Sequence, residues 1–433
     1  MVGFVPQGAL RDPGLRYGTP LALARLSPGE RSQCGVAAGT AGLDELMASI
    51  LISVQHLDLG GMEKMVTELA LGLRRRGHDV CVVGVYGGGA YVKRLEAEGV
   101  SVYVGLAGSK RDPRVLPRLW RICRRHRVEC AIAAMGGNMH TPTITMLVCQ
   151  ALRIPCVRWV HCTPGKPLSR VARLLQRWMT GTGSKVVALT ANHARSLNRG
   201  WGIPESQLAV VWNGQSLPER AAPKLRGEVR CELGLSEEEF VVGMVAGFRP
   251  VKRHEILIRA FELVLREVPN ARLLLVGDGE TRSEAERLVG ELSLASRVIF
   301  LGPRSDAARF YACMDVHALC SYPAETFPLV VTEAMAAGVV QVAPAVGGIP
   351  ELISEGRTGV LVPPESPAAL AEAIISLAGD ADRRERMTEA AHQFAMEHFS
   401  LETMVDGFFG VMQGVLGETG ATGKLSANPS MDR

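Results

Sequence analysis

The chain is 433 residues long, enough for two or three domains. With 47% apolar and 21% charged residues it has the ordinary balance of a folded α/β protein. A formal net charge of +4 over that length is weak support for nucleic-acid binding, and no apolar run approaches the roughly 18 residues that span a bilayer.

Residues 1–45 are rich in Gly, Ala, Pro and Arg without periodicity, and read as a disordered extension or as no part of the mature fold. Arg11 and Arg16, with no apolar core beside them, set this stretch apart from a secretory leader. A β-type run at 50–54 opens the folded part and a helical stretch from Met62 to Arg75 follows, stopped by Gly77. Further β-type runs fall at 80–85, 100–104, 130–134, 155–160 and 185–189, with helical stretches between most of them, notably 114–126. This βαβ rhythm implies a parallel sheet covered on both faces, and 46–214 is taken as one Rossmann-like domain. Polar residues with Pro218 and Pro223 mark 215–235 as a linker. The rhythm restarts with runs at 241–245, 273–276, 297–301, 316–319, 339–343 and 359–362, giving a second Rossmann-like domain over 236–398. An amphipathic stretch at 399–416 has no strand partner and is expected to cross back to the first domain. Residues 417–433 form a small-polar tail. Two doubly wound parallel-sheet domains that face each other across a cleft place ligands at the strand C-termini.

The ten cysteines contain no Cys-x-x-Cys pair and no metal-ligand spacing. They sit singly in apolar segments, as Cys81, Cys156 and Cys320 do, and read as small buried hydrophobes in a reducing, cytoplasmic compartment.

The most informative segment holds Glu325, Thr326, Phe327, Pro328, Leu329 and Glu333 and ends in Ala-Met-Ala-Ala-Gly at Gly338. Pro328 suits the first helical position with Thr326 as N-cap, and amides exposed at such a terminus attract a diphosphate. Carboxylates on the preceding loop and inside the helix can reach one cleft and accept hydrogen bonds from vicinal hydroxyls. Two Glu eight residues apart are common in ordinary helices, but the apolar flanks of Glu333 speak against simple exposure. Gly247, Phe248, Arg249, Pro250, Val251 and Lys252 follow the run at 241–245. Cations at a strand C-terminus beside a glycine turn fit neutralisation of a leaving diphosphate, with a basic surface loop as the bland reading. Arg253 and His254 more simply begin the next helix. Gly60 and Gly61 open a helix after the first strand but lack the spacing of a dinucleotide site. His161 ends the run at 155–160, and His140 follows Gly136 and Gly137 as a weaker candidate. Asp278 is expected to cap the helix after it.

Together these segments resemble the family-4 retaining glycosyltransferases with the GT-B fold over roughly 48–416. The resemblance rests on the Glu-x7-Glu signature at Glu325 and Glu333, the run to Gly338, Val346 to Leu352, 356–364, and Asn213-Gly214. It implies that Glu333 holds the nucleotide ribose and that Glu325 and His161 contact the donor sugar. It also implies that backbone at Phe327, Pro328 and Leu329 meets the diphosphate together with Arg249 and Lys252. Gly60 and Gly61 would approach from the other domain, and the base would lie against Phe300, Leu301 and Gly302. The implied reaction moves a sugar from a nucleotide-diphosphate sugar to an acceptor hydroxyl with retention, without a metal or further cofactor. The acceptor class is a glycan or lipid-linked saccharide, in polysaccharide, glycolipid or other glycoconjugate synthesis.

One departure stands out. The family has Gly-Arg with Lys five residues after the Arg, whereas here Gly247 occupies the Arg position and Arg249 precedes Lys252 by three. Two rival readings stay open: a GT-B enzyme of another reaction, such as a nucleotide-sugar epimerase, and a non-catalytic nucleotide-sugar binding protein. Lys110, Arg111, Arg114, Arg118, Arg121, Arg124, Arg125 and Arg127 cluster on and before one helix. With Trp120 the sole aromatic among them, nucleic-acid stacking is poorly supported. A solvated helix face and peripheral contact with anionic lipid at the inner membrane face both remain.

Overall fold

The computed structural model describes residues 47–418, apart from residues 59, 138, 165–183, 219, 221 and 324. The expected extension at 1–45 and the tail from 419 lie outside the described residues. The N-terminal half runs β1 (Ser49–Val54), α1 (Gly61–Arg75), β2 (Asp79–Gly84), α2 (Val92–Ala97), β3 (Ser101–Val104) and α3 (Val115–Arg125). It continues with β4 (Cys130–Met135), α4 (His140–Leu152), β5 (Cys156–Val160), β6 (Ser184–Ala188), α5 (Ala191–Trp201) and β7 (Leu208–Val210). All seven strands pair in parallel, in the order β3-β2-β1-β4-β5-β6-β7.

The C-terminal half follows as α6 (Pro223–Glu232), β8 (Phe240–Val245), α7 (His254–Glu267), β9 (Ala271–Val276), α8 (Arg282–Glu291), β10 (Val298–Gly302) and β11 (Val316–Ala318). Then come α9 (Leu329–Ala336), β12 (Val340–Pro344), α10 (Ile349–Leu352), β13 (Gly359–Val362), α11 (Pro367–Ala378), α12 (Ala381–His398) and α13 (Leu401–Glu418). Its six strands are ordered β10-β9-β8-β11-β12-β13, again all parallel. This is the expected pair of doubly wound sheets. The central strands explain themselves: Cys-Ala-Ile-Ala-Ala-Met of β4 and Phe-Val-Val-Gly-Met-Val of β8 are buried at every residue, as continuous apolar runs between two helical layers must be. Chain order reverses between β1 and β4 and again between β8 and β11, and a doubly wound sheet opens its ligand crevice at such points.

Three local expectations are corrected. Residues 215–235, read as a linker, contain α6. Its polar surface hides one buried stripe, in which Val229 packs inward and the guanidinium of the fully buried Arg230 donates from its terminal nitrogens to Ser236 O at 2.6 Å and Asp315 Oδ2 at 3.0 Å. The short edge strand β7 carried no readable pattern in its three residues. Cys231 is exposed on α6, unlike Cys81, Cys123, Cys130, Cys149, Cys156, Cys313 and Cys320, which are buried. No helix among the described residues is long and apolar enough to cross a membrane.

Helix α13 lies on α1, β5 and β6 of the N-terminal half. The crossing is close because α1 offers Gly72, where a Cβ would stand 2.5 Å from Val405 Cγ2. Beside it, Phe408 is fully buried and meets the Trp159 ring edge-on at 4.7 Å, and Phe409 packs on His78 at 5.4 Å. Truncating a buried aromatic removes apolar contact and leaves a void. Phe408→Ala should therefore cost about 3–5 kcal/mol, read as a lower urea midpoint by Trp fluorescence. An unchanged midpoint would mean that α13 does not hold the N-terminal half.

Candidate functional site

The strand C-termini of the second sheet and the start of α9 form one wall of a cleft. Glu325 and Lys252 meet there in an ion pair, Nζ to Oε2 at 2.6 Å, with side chains 17% and 20% exposed. Lys252 ends a single 3-10 turn, Pro250–Lys252, placed by the end of β8. Arg249 begins that turn and is exposed, two residues beyond Gly247. The chain thus brings Glu325 and Lys252 together and leaves Arg249 at the rim. Arg253 adopts a left-handed conformation and pairs with Glu255 and Glu365, while His254 is buried against the Phe248 ring at 3.9 Å. Both open α7, as their bland reading held.

Helix α9 begins at Leu329, one residue later than Pro328 suggested, so Pro328 is itself the N-cap with φ −75° and ψ 107°. Thr326 makes no cap; its hydroxyl bonds Thr163 Oγ1 across the cleft at 2.9 Å. The Phe327 ring is buried against Phe399, so what this residue can offer the cleft is its backbone. Glu333 stands one turn into α9. Its Oε1 holds Lys64 Nζ of α1 at 2.6 Å, and its Oε2 accepts from the buried Tyr311 hydroxyl at 3.3 Å. Burial, together with the Glu333 carboxylate beside it, pushes the Tyr311 phenol well above its ordinary range. Gly61 opens α1 directly opposite, where a Cβ would lie 3.7 Å from Leu329 Cδ1. At Gly60 a Cβ would collide with Glu63 Oε2, which folds back over the helix start.

The two halves are further joined by main chain. Glu351 of α10 accepts from the amides of Ala191 at 2.7 Å and Asn192 at 2.6 Å, and Thr190 Oγ1 accepts from His193 N at 3.1 Å. Three orphan donors of α5 are thereby satisfied, two of them by a carboxylate from the other half. Asn192 Nδ2 adds a bond to Gly347 O at 2.8 Å. Gly347 has φ +57°, and a Cβ there would stand 2.0 Å from Glu325 O. At Gly348 it would stand 2.7 Å from Thr190 Cγ2. No side chain fits where the Glu325 loop, the 346–350 turn and Thr190 converge.

His161 follows β5, its amide bonded to Met135 O at 2.8 Å and its ring 4.4 Å from the Trp159 ring. Burial, with His193 nearby, drives its imidazole down to about 3, so it is neutral at physiological pH. Among the described residues its Nε2 is closed to solvent and has no hydrogen-bond partner. It stands two residues before Thr163, which touches Thr326, so the strand places it at the cleft. His140 opens α4 and shares a short bond with the Tyr86 hydroxyl. Leu301, with Phe300 and Gly302, lies at the end of β10; Phe300 sits 6.1 Å from the Phe248 ring and under Arg282 at 5.9 Å. Asp278 caps no helix: it accepts from Gly279 N at 2.8 Å, and α8 starts only at Arg282. Asp380 caps α12 through Arg383 N at 2.8 Å.

Lys64, Tyr311 and Glu351 were missed by sequence reasoning. Glu351 lay inside a matched segment without a role. Lys64, on the turn after Gly60-Gly61, carried no signal until the other half was placed opposite it.

On the outer face of α3 the basic cluster is partly consumed. Arg114 pairs with Asp112 and Arg118 bonds Leu106 O at 2.7 Å. Arg121, Arg124 and Arg125 remain exposed beside Leu116 and Trp120, each 40% exposed. Leu116, Pro117, Trp120, Leu147 and Ala151 line an apolar groove of about 540 Å³ that Arg121 borders.

A sequence family described as "Glycosyl transferases group 1" matches residues 226–394, and one described as "Glycosyltransferase Family 4" matches residues 59–217. The N-acetyl-alpha-D-glucosaminyl L-malate synthase of Bacillus anthracis is 36% identical over 189 residues, covering 44% of this chain and 49% of that protein. The D-inositol 3-phosphate glycosyltransferase of Nocardia farcinica is 35% identical over 232 residues, 51% of this chain and 50% of that one. The chain thus spans about half the length of the curated relatives it matches. Anabaena Alr3699/HepE, solved with UDP and glucose, superposes with a TM-score of 0.71 at 23% identity, over 83% of this chain and 98% of that one. A glycosyltransferase from Rickettsia africae superposes with a TM-score of 0.75 at 20% identity, over 86% and 99%. At these identities the likeness is one of fold.

Four imidazoles carry a common consequence. Burial lowers His161 to about 3 and His193, His254 and His317 to about 4. In the unfolded chain they titrate near 6.5, so between those values the unfolded state binds more protons. Stability is therefore complete above about pH 6.5 and is lost as the pH falls towards 4. The urea midpoint should drop between pH 7 and pH 5 while the four imidazoles keep neutral-form NMR shifts. Titration of His161 near 6.5 in the native protein would contradict its burial.

Proposed function

Because the chain belongs to the group 1, family 4 glycosyltransferases, we propose that it moves a sugar from a nucleotide-diphosphate donor to an acceptor hydroxyl with retention of anomeric configuration. The observation that carries this is the α9 wall of the cleft, where Glu325 and Glu333 stand eight residues apart, each tied to a lysine. In this reading Glu333 accepts from the ribose hydroxyls and Glu325 from the sugar. Lys252, Arg249 and the amides at the start of α9 take up the charge that grows on the departing diphosphate. The anomeric carbon–oxygen bond to the diphosphate breaks, the bond to the acceptor oxygen forms on the same face, and the acceptor proton passes to the diphosphate. His161, held neutral, serves as a hydrogen-bond partner for the sugar rather than as a cation. Charge-bearing by side chains and amides makes the step independent of a divalent metal. UDP is the first nucleotide to test, since Anabaena Alr3699/HepE, which shares the fold, was solved with it. The activities named for the two curated relatives, on inositol 3-phosphate and on L-malate, make small polar acceptors worth including beside glycans and lipid-linked saccharides.

We also propose that the outer face of α3 meets an anionic membrane, which would bring the N-terminal half to a lipid-linked acceptor. Three exposed arginines beside an apolar groove with Trp120 at its edge suit a headgroup-level surface, where each cation contributes about 1 kcal/mol.

Lys252→Ala should lower kcat about a hundredfold, and by more than it weakens donor binding, because the diphosphate charge develops in the transition state. The wild-type rate should survive EDTA, and the anomeric coupling of the product in proton NMR should equal that of the donor. An inverted product removes the roles given to Glu325 and His161. For the membrane, co-sedimentation with phosphatidylserine-containing vesicles should occur at low salt and fade as salt rises. It should be lost when Arg121, Arg124 and Arg125 become Glu. Wild-type protein that stays in the supernatant at low salt ends that proposal and turns the acceptor search to soluble compounds.

A further inference from the structure

Glu333 is engaged on both oxygens, and the two partners differ in kind. Tyr311 is fully buried, lies in the same half, and also donates towards Val330 O at 3.3 Å, so it is part of the wall. Lys64 reaches from the opposite half, is 31% exposed, and takes the other oxygen, Oε1, at 2.6 Å. It sits one turn into α1, whose first residue, Gly61, abuts Leu329 at the start of α9. Glu68, the buried carboxylate one turn further along α1, is already held by Arg94 at 2.8 Å and by Ser216 Oγ at 3.2 Å. Burial, with Asp58 close by, raises Glu63 and weakens its claim on a cation.

We infer that Lys64 is a resident competitor for the ribose subsite: it caps Oε1 of Glu333 and is displaced when a nucleoside diphosphate binds. This rests on the donor reading of Glu333 given above. A carboxylate 16% exposed is poorly solvated, and leaving its Oε1 unpaired would be costly, so the ammonium ion satisfies it. The ribose diol must then exchange with a charge-assisted bond. Apparent affinity is the intrinsic affinity multiplied by the fraction of molecules in which the pair is open. Lys64 is thus a positioning residue that sets donor affinity and ties donor entry to the release of one contact between the halves.

The test compares UDP, GDP and ADP binding by calorimetry in the wild type, Lys64→Met, Lys64→Gln and Lys64→Arg. Thermal unfolding of each variant is recorded so that a misfolded one is set aside. A pair closed in about nine molecules of ten predicts that Lys64→Met and Lys64→Gln bind the accepted nucleotide about tenfold more tightly, while Lys64→Arg stays near the wild type. The gain should vanish in a Glu333→Gln background, where there is no carboxylate to guard. Unchanged or weaker binding in both neutral variants overturns the inference and makes Lys64 a scaffold contact or a direct ligand of the diphosphate, while the donor reading stands. If neither wild type nor variants bind any of the three nucleotides, the donor reading falls and the inference with it.

Discussion

A strand that pairs parallel to its neighbour has to be reached by a crossover, and each crossover helix covers one face of the sheet. That constraint arranges nearly everything else in this protein. It forces the central strands to be apolar on both sides, as in β4 and β8, and it delivers all strand C-termini of a sheet to one edge. The polar side chains of the candidate site, from His161 after β5 to Lys252 after β8, sit past those ends, on the loops that the sheet delivers to one edge. Each half also reverses its strand order once, and the reversal opens the gap that the loops line.

How the halves meet is a separate matter, settled by a few polar contacts over a greasy strap. Helix α13 supplies the strap, with Phe408 on Trp159 and Val405 against Gly72. The cleft contacts are different in character: Thr163 with Thr326, Lys64 with Glu333, and Glu351 on the amides of α5. Polar links of this sort can be exchanged for a ligand's groups or for water at modest cost, whereas the aromatic packing cannot. The strap keeps the halves together while the cleft faces remain open to rearrangement.

The two-sheet architecture was legible in the sequence because fully buried parallel strands leave long Val, Ile and Ala runs at regular intervals. The Glu325 to Gly338 segment was legible because carboxylates set among apolar residues are conspicuous. What escaped notice depends on tertiary context. The stripe of α6 that buries Val229 and Arg230 is hidden by polar neighbours, since a buried arginine looks like any surface arginine until Asp315 and Ser236 are placed around it. The N-cap of α9 was misread by two residues, because Thr326 is a good cap by type but its hydroxyl is drawn to Thr163 instead. Lys64 and Glu351 act on atoms 269 and 159–160 residues away, and no local pattern encodes such a meeting.

The grip of Glu351 on α5 has an evolutionary side. Its two oxygens read the peptide amides of Ala191 and Asn192, groups that every non-proline residue supplies. Sequence drift at those positions leaves that grip intact so long as the helix starts there and no proline enters. This part of the seam is therefore written in main-chain groups, unlike the side-chain pairs Thr163–Thr326 and Lys64–Glu333. An N-terminal half whose loops diverge can still seat on an unchanged C-terminal half. Recombination at the Asn213-Gly214 junction is then a physically tolerant route to new specificities.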